Sequence, residues 1–140
     1  MVELAVVLLL LGIMSFLSYT RLAPALERTK VNSAASVMAV DLAYAQMLAA
    51  RQRKPVVVIL TSVTQQYIIR DRADATTIFR TRYLGADTDY SLTTLTGASS
   101  LEVFPTGVTR TTTTYTLGRS GYTRQVKFTR AGQIRVVGGP

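Results

Sequence analysis

The chain reads as an α+β protein. One long N-terminal helix, half membrane-spanning and half amphipathic, packs on a C-terminal domain of antiparallel β-sheet. Three observations lead there. Residues 4–20 contain no charge at all and are headed by one carboxylate, Glu3. Val31, Ala35, Met38, Leu42, Ala45 and Ala49 recur at alternating intervals of four and three, the pattern of a helix with one buried face. After Pro55 the apolar period drops to two, that of a strand. The resulting units are a membrane helix over 1–23, its amphipathic continuation over 24–54 and a sheet domain over 55–140.

The uncharged run is long enough to matter. Its residues, at about 1.5 Å each, approach the ~30 Å of a bilayer core. A secretory signal peptide would begin with positive charge and end in a small-residue cleavage site. Here the only early charge is negative, and the apolar run leads into an amphipathic pattern. An ordinary single-pass anchor accounts for the length but not for Glu3. A carboxylate in the middle of a membrane costs on the order of 2.5–3.5 kcal/mol, so an acid in such a segment implies a partner.

Pro24 is expected to bend or interrupt the helix. The amphipathic half then presents a narrow, Ala-rich stripe to its own sheet. Arg51, Arg53 and Lys54 place cations in the last turn before Pro55, where the macrodipole favours them.

Residues 56–60 form an uninterrupted Val/Ile/Leu run suited to a central strand. Residues 66–70 and 77–83 read as further strands, and 84–100, rich in Gly, Asp, Thr and Ser, as a loop. Asp87 and Asp89 fall in that loop. Two carboxylates are too few for calcium, which takes six to eight oxygens, and they suit a turn. A strand over 101–104 stops at Pro105, and another runs from the Thr-rich stretch 111–114 through Tyr115 and Leu117. Residues 118–121 turn the chain. The last hairpin can be registered outright. Arg130-Ala131-Gly132 makes a three-residue turn with Gly in the left-handed position. Thr129 then faces Gln133, Phe128 faces Ile134, Lys127 faces Arg135 and Val126 faces Val136. Apolar pairs fall on one face and polar pairs on the other, as a half-buried sheet requires.

Composition bounds the chemistry. There is no Cys and no His among the 140 residues, so disulfides, thiolate chemistry and Cys or His metal sites are excluded. The usual nucleophile–base pairs of enzymes are missing too. We therefore expect no enzymatic activity, no catalytic residues, no metal and no cofactor. Of the formal charge of +8, +6 lies beyond the last acid, Glu102, in Arg110, Arg119, Arg124, Lys127, Arg130 and Arg135. A basic tail of this kind is either a solvated sheet face or a surface for a polyanion.

Val2-Glu3-Leu4 and the Leu/Val run behind it resemble the N-terminus of type IV pilins and of the pseudopilins of type II secretion. Asp41-Leu-Ala-Tyr-Ala-Gln-Met-Leu-Ala-Ala-Arg51 with Pro55 and its strand, Val103-Phe-Pro-Thr-Gly107, and Phe128-Thr-Arg-Ala-Gly132-Gln-Ile-Arg135 together are similar to the GspH/FimT branch of that superfamily. The resemblance covers nearly the whole chain. It implies a type IV pilin-like fold and a minor pilin or pseudopilin, anchored once in the inner membrane with its globular domain periplasmic or extracellular. Such a subunit is assembled into a secretion pseudopilus or a pilus. It also implies the partners: other pilin subunits, the inner membrane, and a prepilin peptidase. That peptidase cuts after the Gly of a short basic leader, and the new N-terminal residue is methylated. On the family motif Phe-Thr-Leu-(Val/Ile)-Glu-Leu, Met1 stands at the third mature position and Glu3 at the Glu, so a leader is expected upstream. The family gives Glu3 its partner, the terminal amine of a neighbouring subunit. In DNA-uptake members of the FimT branch a Gly-Arg-x-Arg motif contacts DNA. The matching stretch here is Gly132-Gln133-Ile134-Arg135, which keeps the second Arg and replaces the first. The resemblance therefore implies an alternative role in DNA uptake, with Arg119, Lys127, Arg130 and Arg135 as the candidate phosphate contacts, sequence-independent because no aromatic on that face could stack a base.

Overall fold

The computed structural model describes residues 2–139, with the backbone alone for 17–21. Among the described residues there is one helix, α1, Val2–Gln52. Eight strands follow: β1 Val56–Thr61, β2 Gln66–Asp71, β3 Ile78–Tyr83, β4 Thr94–Thr96, β5 Ser100–Val103, β6 Thr113–Arg119, β7 Tyr122–Phe128 and β8 Ile134–Gly138. They form two four-stranded antiparallel sheets, ordered β3-β2-β1-β5 and β4-β6-β7-β8. The antiparallel domain is thus two sheets, both packed under one helix.

Of the bend or interruption expected at Pro24, the interruption does not occur, for Pro24 lies within α1. Proline removes one backbone donor, but the helix here is continued by good helix formers at Ala23 and Ala25. One turn on, the Thr29 hydroxyl donates to the Ala25 carbonyl at 2.9 Å. The helix ends where the cations stand. Arg53 takes a left-handed conformation (φ 55°) and its N–H bonds the Ala50 carbonyl at 3.3 Å, a helix-ending position usually given to Gly.

The stripe read from the sequence is the buried face. Val31, Ala35, Met38, Leu42, Ala45 and Ala49 are all buried, joined by Ala34 and Leu48. Opposite them lie Val56, Val58, Tyr67 and Ile69 of the first sheet and Tyr115, Leu117, Val126 and Phe128 of the second. Small side chains on the helix let both sheets approach it closely. β1 is central in its sheet and alternates buried and half-buried residues.

The stretch 84–100 is more than a loop. Thr94–Thr96 forms β4 and pairs with β6, and Leu84, Leu92 and Leu95 are buried. Three residues are too few to show a period, so the strand is defined by its partner. β6 likewise runs through Gly118 to Arg119 and turns on Ser120 and Gly121 alone, with φ 49° and 79°. Both central residues in the left-handed region make this a type I′ turn, which matches strand twist.

The last hairpin has the register derived from sequence: Phe128 opposite Ile134, Lys127 opposite Arg135, Val126 opposite Val136. Thr129 N–H bonds the Gln133 carbonyl at 2.9 Å, and Gly132 has φ 86°. Burial is one-sided only on β7. Val126 and Phe128 are fully buried, whereas Val136 on the edge strand is exposed.

Tyr115 is fully buried, yet its hydroxyl has no hydrogen-bond partner among the described residues. Burial raises the phenol's pKa, so it stays protonated. An unsatisfied buried hydroxyl costs about 1–3 kcal/mol. Tyr115→Phe is therefore expected to stabilise the protein, by about 1 kcal/mol in urea unfolding. A loss of stability would mean that the hydroxyl has a partner in solution.

Candidate assembly and binding surfaces

The described start of α1, residues 2–16, lies outside the buried core. The side chains of residues 2–16 are all exposed, including Leu4, Val6, Val7, Leu8, Leu9 and Leu10. Glu3 stands in the helix's first turn. By length and composition Leu22–Gln52 could also cross a membrane. We assign that stretch to the globular domain instead, because it buries its inner face on the protein's own sheets and carries Glu27, Arg28, Lys30 and Asp41. The exposed apolar half is the one that needs an apolar environment.

The four candidate cations do not gather in one place. Lys127 and Arg135 lie directly opposite each other on β7 and β8, and Arg130 sits in the turn that joins those strands. All three are exposed, and none has a carboxylate partner among the described residues. Arg119 lies at the other end of β7, about 20 Å away by strand rise. Its guanidinium bonds the Glu27 carboxylate of α1 and the Ser91 carbonyl. That hydrogen bond, more than any other influence, holds the Glu27 carboxyl below the usual range. Arg110 pairs with Glu102 at 3.2 Å, and Arg124 donates to Asn32 at 2.7 Å. Half of the basic tail is therefore engaged in holding the domain together.

Two further knots hold the helix to the rest of the domain, and residue types alone did not reveal either. The first is Asp41, a charged residue on the helix that is only 1% exposed. Its carboxylate accepts hydrogen bonds from the Tyr67 hydroxyl at 2.7 Å, from Arg82 Nε at 3.0 Å and Nη2 at 3.3 Å, and from Arg80. Arg80 in turn lies over the Tyr44 ring, 4.3 Å from its centroid. Burial pushes the Asp41 carboxyl up, but the bonds from Arg82, Tyr67 and Arg80 together outweigh it, so the group lies below the usual carboxylate range. Burial and the same carboxylate push Tyr67 up. The sequence did carry one hint, the Arg80/Arg82 pair at strand spacing, which puts both guanidiniums on one face.

The second knot is Gln46. Its amide nitrogen donates to the Gly107 carbonyl at 2.9 Å and to the Gly132 carbonyl at 2.7 Å. One helical side chain thus ties together the β5–β6 connection and the last hairpin turn.

Among the described residues no three acidic side chains gather to hold a metal, and Asp74 is spent on a turn. There its carboxylate accepts from the Thr77 and Thr76 hydroxyls and the Thr76 N–H, bonds that bring its pKa down to about 2.

Comparison with known proteins agrees with this architecture. The family described as type II transport protein GspH matches residues 34–132, from the buried stripe of α1 to the last hairpin turn. Two crystal forms of the type IV minor pilin FimU of Pseudomonas aeruginosa share the fold, each with a TM-score of 0.61. One is 18% identical and covers 76% of this chain and 91% of that one. The other is 20% identical and covers 81% and 91%. No curated protein sequence matches. With the family pattern running over most of the chain and a pilin-like helix packed on antiparallel sheets, the chain belongs to the GspH family and is a GspH/FimT-like pseudopilin of the type IV pilin fold.

Proposed function

We propose that the chain is a minor subunit anchored in the inner membrane by its N-terminal helix and assembled from there into a type II secretion pseudopilus or a type IV pilus. Its work is mechanical, without turnover. The observation that carries this reading is the exposed, uncharged stretch 4–16 of α1 with one acid at its head. An apolar helix of that length needs a bilayer or other helices around it. In the filament the acid pairs with the terminal amine of a neighbouring subunit. The prepilin peptidase and the methylation of the new N-terminus belong to the same reading.

Glu3→Ala tests it. Removing a charge from an apolar segment leaves insertion intact or improves it. Incorporation into filaments should fall at least tenfold, read as the ratio of filament-bound to membrane-bound protein after fractionation. Normal incorporation of the variant would remove Glu3 from the mechanism.

A second reading rests on Lys127, Arg130 and Arg135, which are exposed and have no carboxylate partner among the described residues. They could take the phosphates of duplex DNA without reading sequence. If they do, binding falls steeply with salt, and each lost contact reduces the logarithmic salt slope by about 0.9. Lys127→Ala with Arg135→Ala should flatten the slope by nearly two. Arg119→Ala should leave the slope alone, because its charge is directed at Glu27. Absence of any mobility shift at low ionic strength would leave the tail a solvated surface.

A further inference from the structure

An open pocket of about 530 Å³ lies where the helix meets the β6–β7 turn, between Pro24, Glu27 and Arg28 on one side and Ser120, Gly121 and Tyr122 on the other. Arg28 lines the pocket, and Arg124 stands outside its lining on the same tyrosine. Arg28 and Arg124 both direct their guanidiniums at the Tyr122 ring, 5.6 Å and 5.7 Å from its centroid. Neither has a carboxylate partner among the described residues. The one acid of the pocket, Glu27, is already paired with Arg119. Two like charges converge on one aromatic ring, and neither is paired with a carboxylate of the described residues. The Tyr122 hydroxyl reaches back to Asn32, which also accepts from Arg124, so both groups are held in place. Gly121 leaves the turn bare, for a Cβ there would meet nothing within 4 Å.

We propose that this pocket binds the phosphate of an anionic phospholipid while the subunit stands in the membrane. The proposal rests on the anchored-subunit reading above and adds a ligand site to it. Depth along the helix selects a lipid over other phosphates. The uncharged run ends at Thr20. At about 1.5 Å per residue, Pro24 stands about 6 Å beyond it, inside a headgroup layer that adds roughly 5–8 Å to each side of the bilayer core. Arg28 stands about 12 Å beyond and Asn32, which holds Arg124, about 18 Å beyond; helical side chains tilt toward the N-terminus, which here is toward the membrane, so Arg28 is the nearer of the two cations to the headgroups. Exposed Leu22 and Leu26 continue the apolar contact up to the pocket's edge. A tyrosine flanked by arginines at this level is the composition of a membrane interface, where aromatic rings sit at headgroup depth and cations meet phosphate.

The test uses the full chain in lipid nanodiscs made either of phosphatidylcholine alone or with phosphatidylglycerol, carrying spin labels on the headgroups or on the acyl chains. Headgroup label should broaden the amide signals of residues 120–122 and spare those of 131–133 at the far end of the domain. The broadening should be several-fold stronger with phosphatidylglycerol. Arg28→Gln with Arg124→Gln should abolish that difference, a loss of about fivefold in local lipid occupancy per cation. Lys127→Gln with Arg135→Gln should keep it. Equal broadening in both lipids would overturn the site while leaving the anchor standing. Amide chemical-shift changes at residues 120–122 that are the same with millimolar inorganic phosphate in pure phosphatidylcholine as with phosphatidylglycerol would overturn the lipid as its ligand. Failure of acyl-chain label to broaden residues 2–16 would overturn the anchor and the site together.

Discussion

Asp41→Ala is expected to destabilise the domain by about 3–4 kcal/mol at neutral pH. Removing one partner of a buried ion pair strands the other, at a typical cost of about 3–5 kcal/mol. Here the stranded partners are Arg80 and Arg82, which are 34% and 33% exposed, so water relieves part of their charge and the lower end applies. The Tyr67 hydroxyl, however, is left buried without its acceptor, which adds to the loss. In a domain with a total stability of about 5–15 kcal/mol this is a large fraction. Acid should act in the same direction. The folded-state pKa of Asp41 lies below its ordinary 3.8, so the folded protein binds this proton less readily than the unfolded chain does. The contribution is therefore complete above the ordinary value and is lost as pH falls through the lower, folded-state value. Urea unfolding of the wild type and of Asp41→Ala at pH 7, 5, 3 and 2 measures it. The gap between the two should close on the acid side of 3.8. A gap below 1 kcal/mol at pH 7, or one that does not depend on pH, would show that the cluster does not hold the helix to β3.

Gly132→Ala should cost about 3 kcal/mol and lower the melting temperature by about 10–20 °C. Two effects add. Gly132 has φ 86°, where an L-residue with a Cβ is strained by about 1–2 kcal/mol. The new Cβ would also lie 2.3 Å from the Gly107 carbonyl oxygen and 3.0 Å from Gln46 Nε2. That oxygen cannot step aside cheaply, because Gln46 binds it and the Gly132 carbonyl at once. A second glycine separates the two effects. Gly121 has φ 79° but open space around its Cβ position, so Gly121→Ala should cost only the conformational part. Asn tolerates left-handed backbone, so Gly121→Asn should be nearly neutral, while Gly132→Asn should stay as damaging as Gly132→Ala. Equal behaviour of the two Asn variants would remove the collision from the account. The glycine that opens the Gly132-Gln133-Ile134-Arg135 stretch is thus held by packing, whatever Arg135 binds.

Elements whose signal is local were legible in advance. The inner face of α1 was read from Val31 to Ala49 because helical period alone selects those positions. The last hairpin was registered correctly because one Gly-containing turn and a period of two leave a single alignment that buries Val126 and Phe128. The Arg119 partnership was not legible. Its acid lies 92 residues away on the helix, and in sequence it looked like one more cation of the tail. Likewise β4 carries no period of its own and exists because β6 offers it an edge.

By itself, the sequence determined that an uncharged helix with one acid leads into an amphipathic helix and then antiparallel strands, and that His and Cys chemistry is absent. Those properties depend on composition and on periods of 3.6 and 2, which each segment displays without knowing its neighbours. The three-dimensional structure alone decided that the strands divide into two sheets beneath one helix. It also decided that Asp41 is buried among Tyr67, Arg80 and Arg82, that Gln46 binds two turns, and that Arg28 and Arg124 meet at Tyr122. Each is a contact between side chains distant along the chain, with polar groups taken from water together. Whether such a group is paired or exposed is fixed only when the sheets close on the helix.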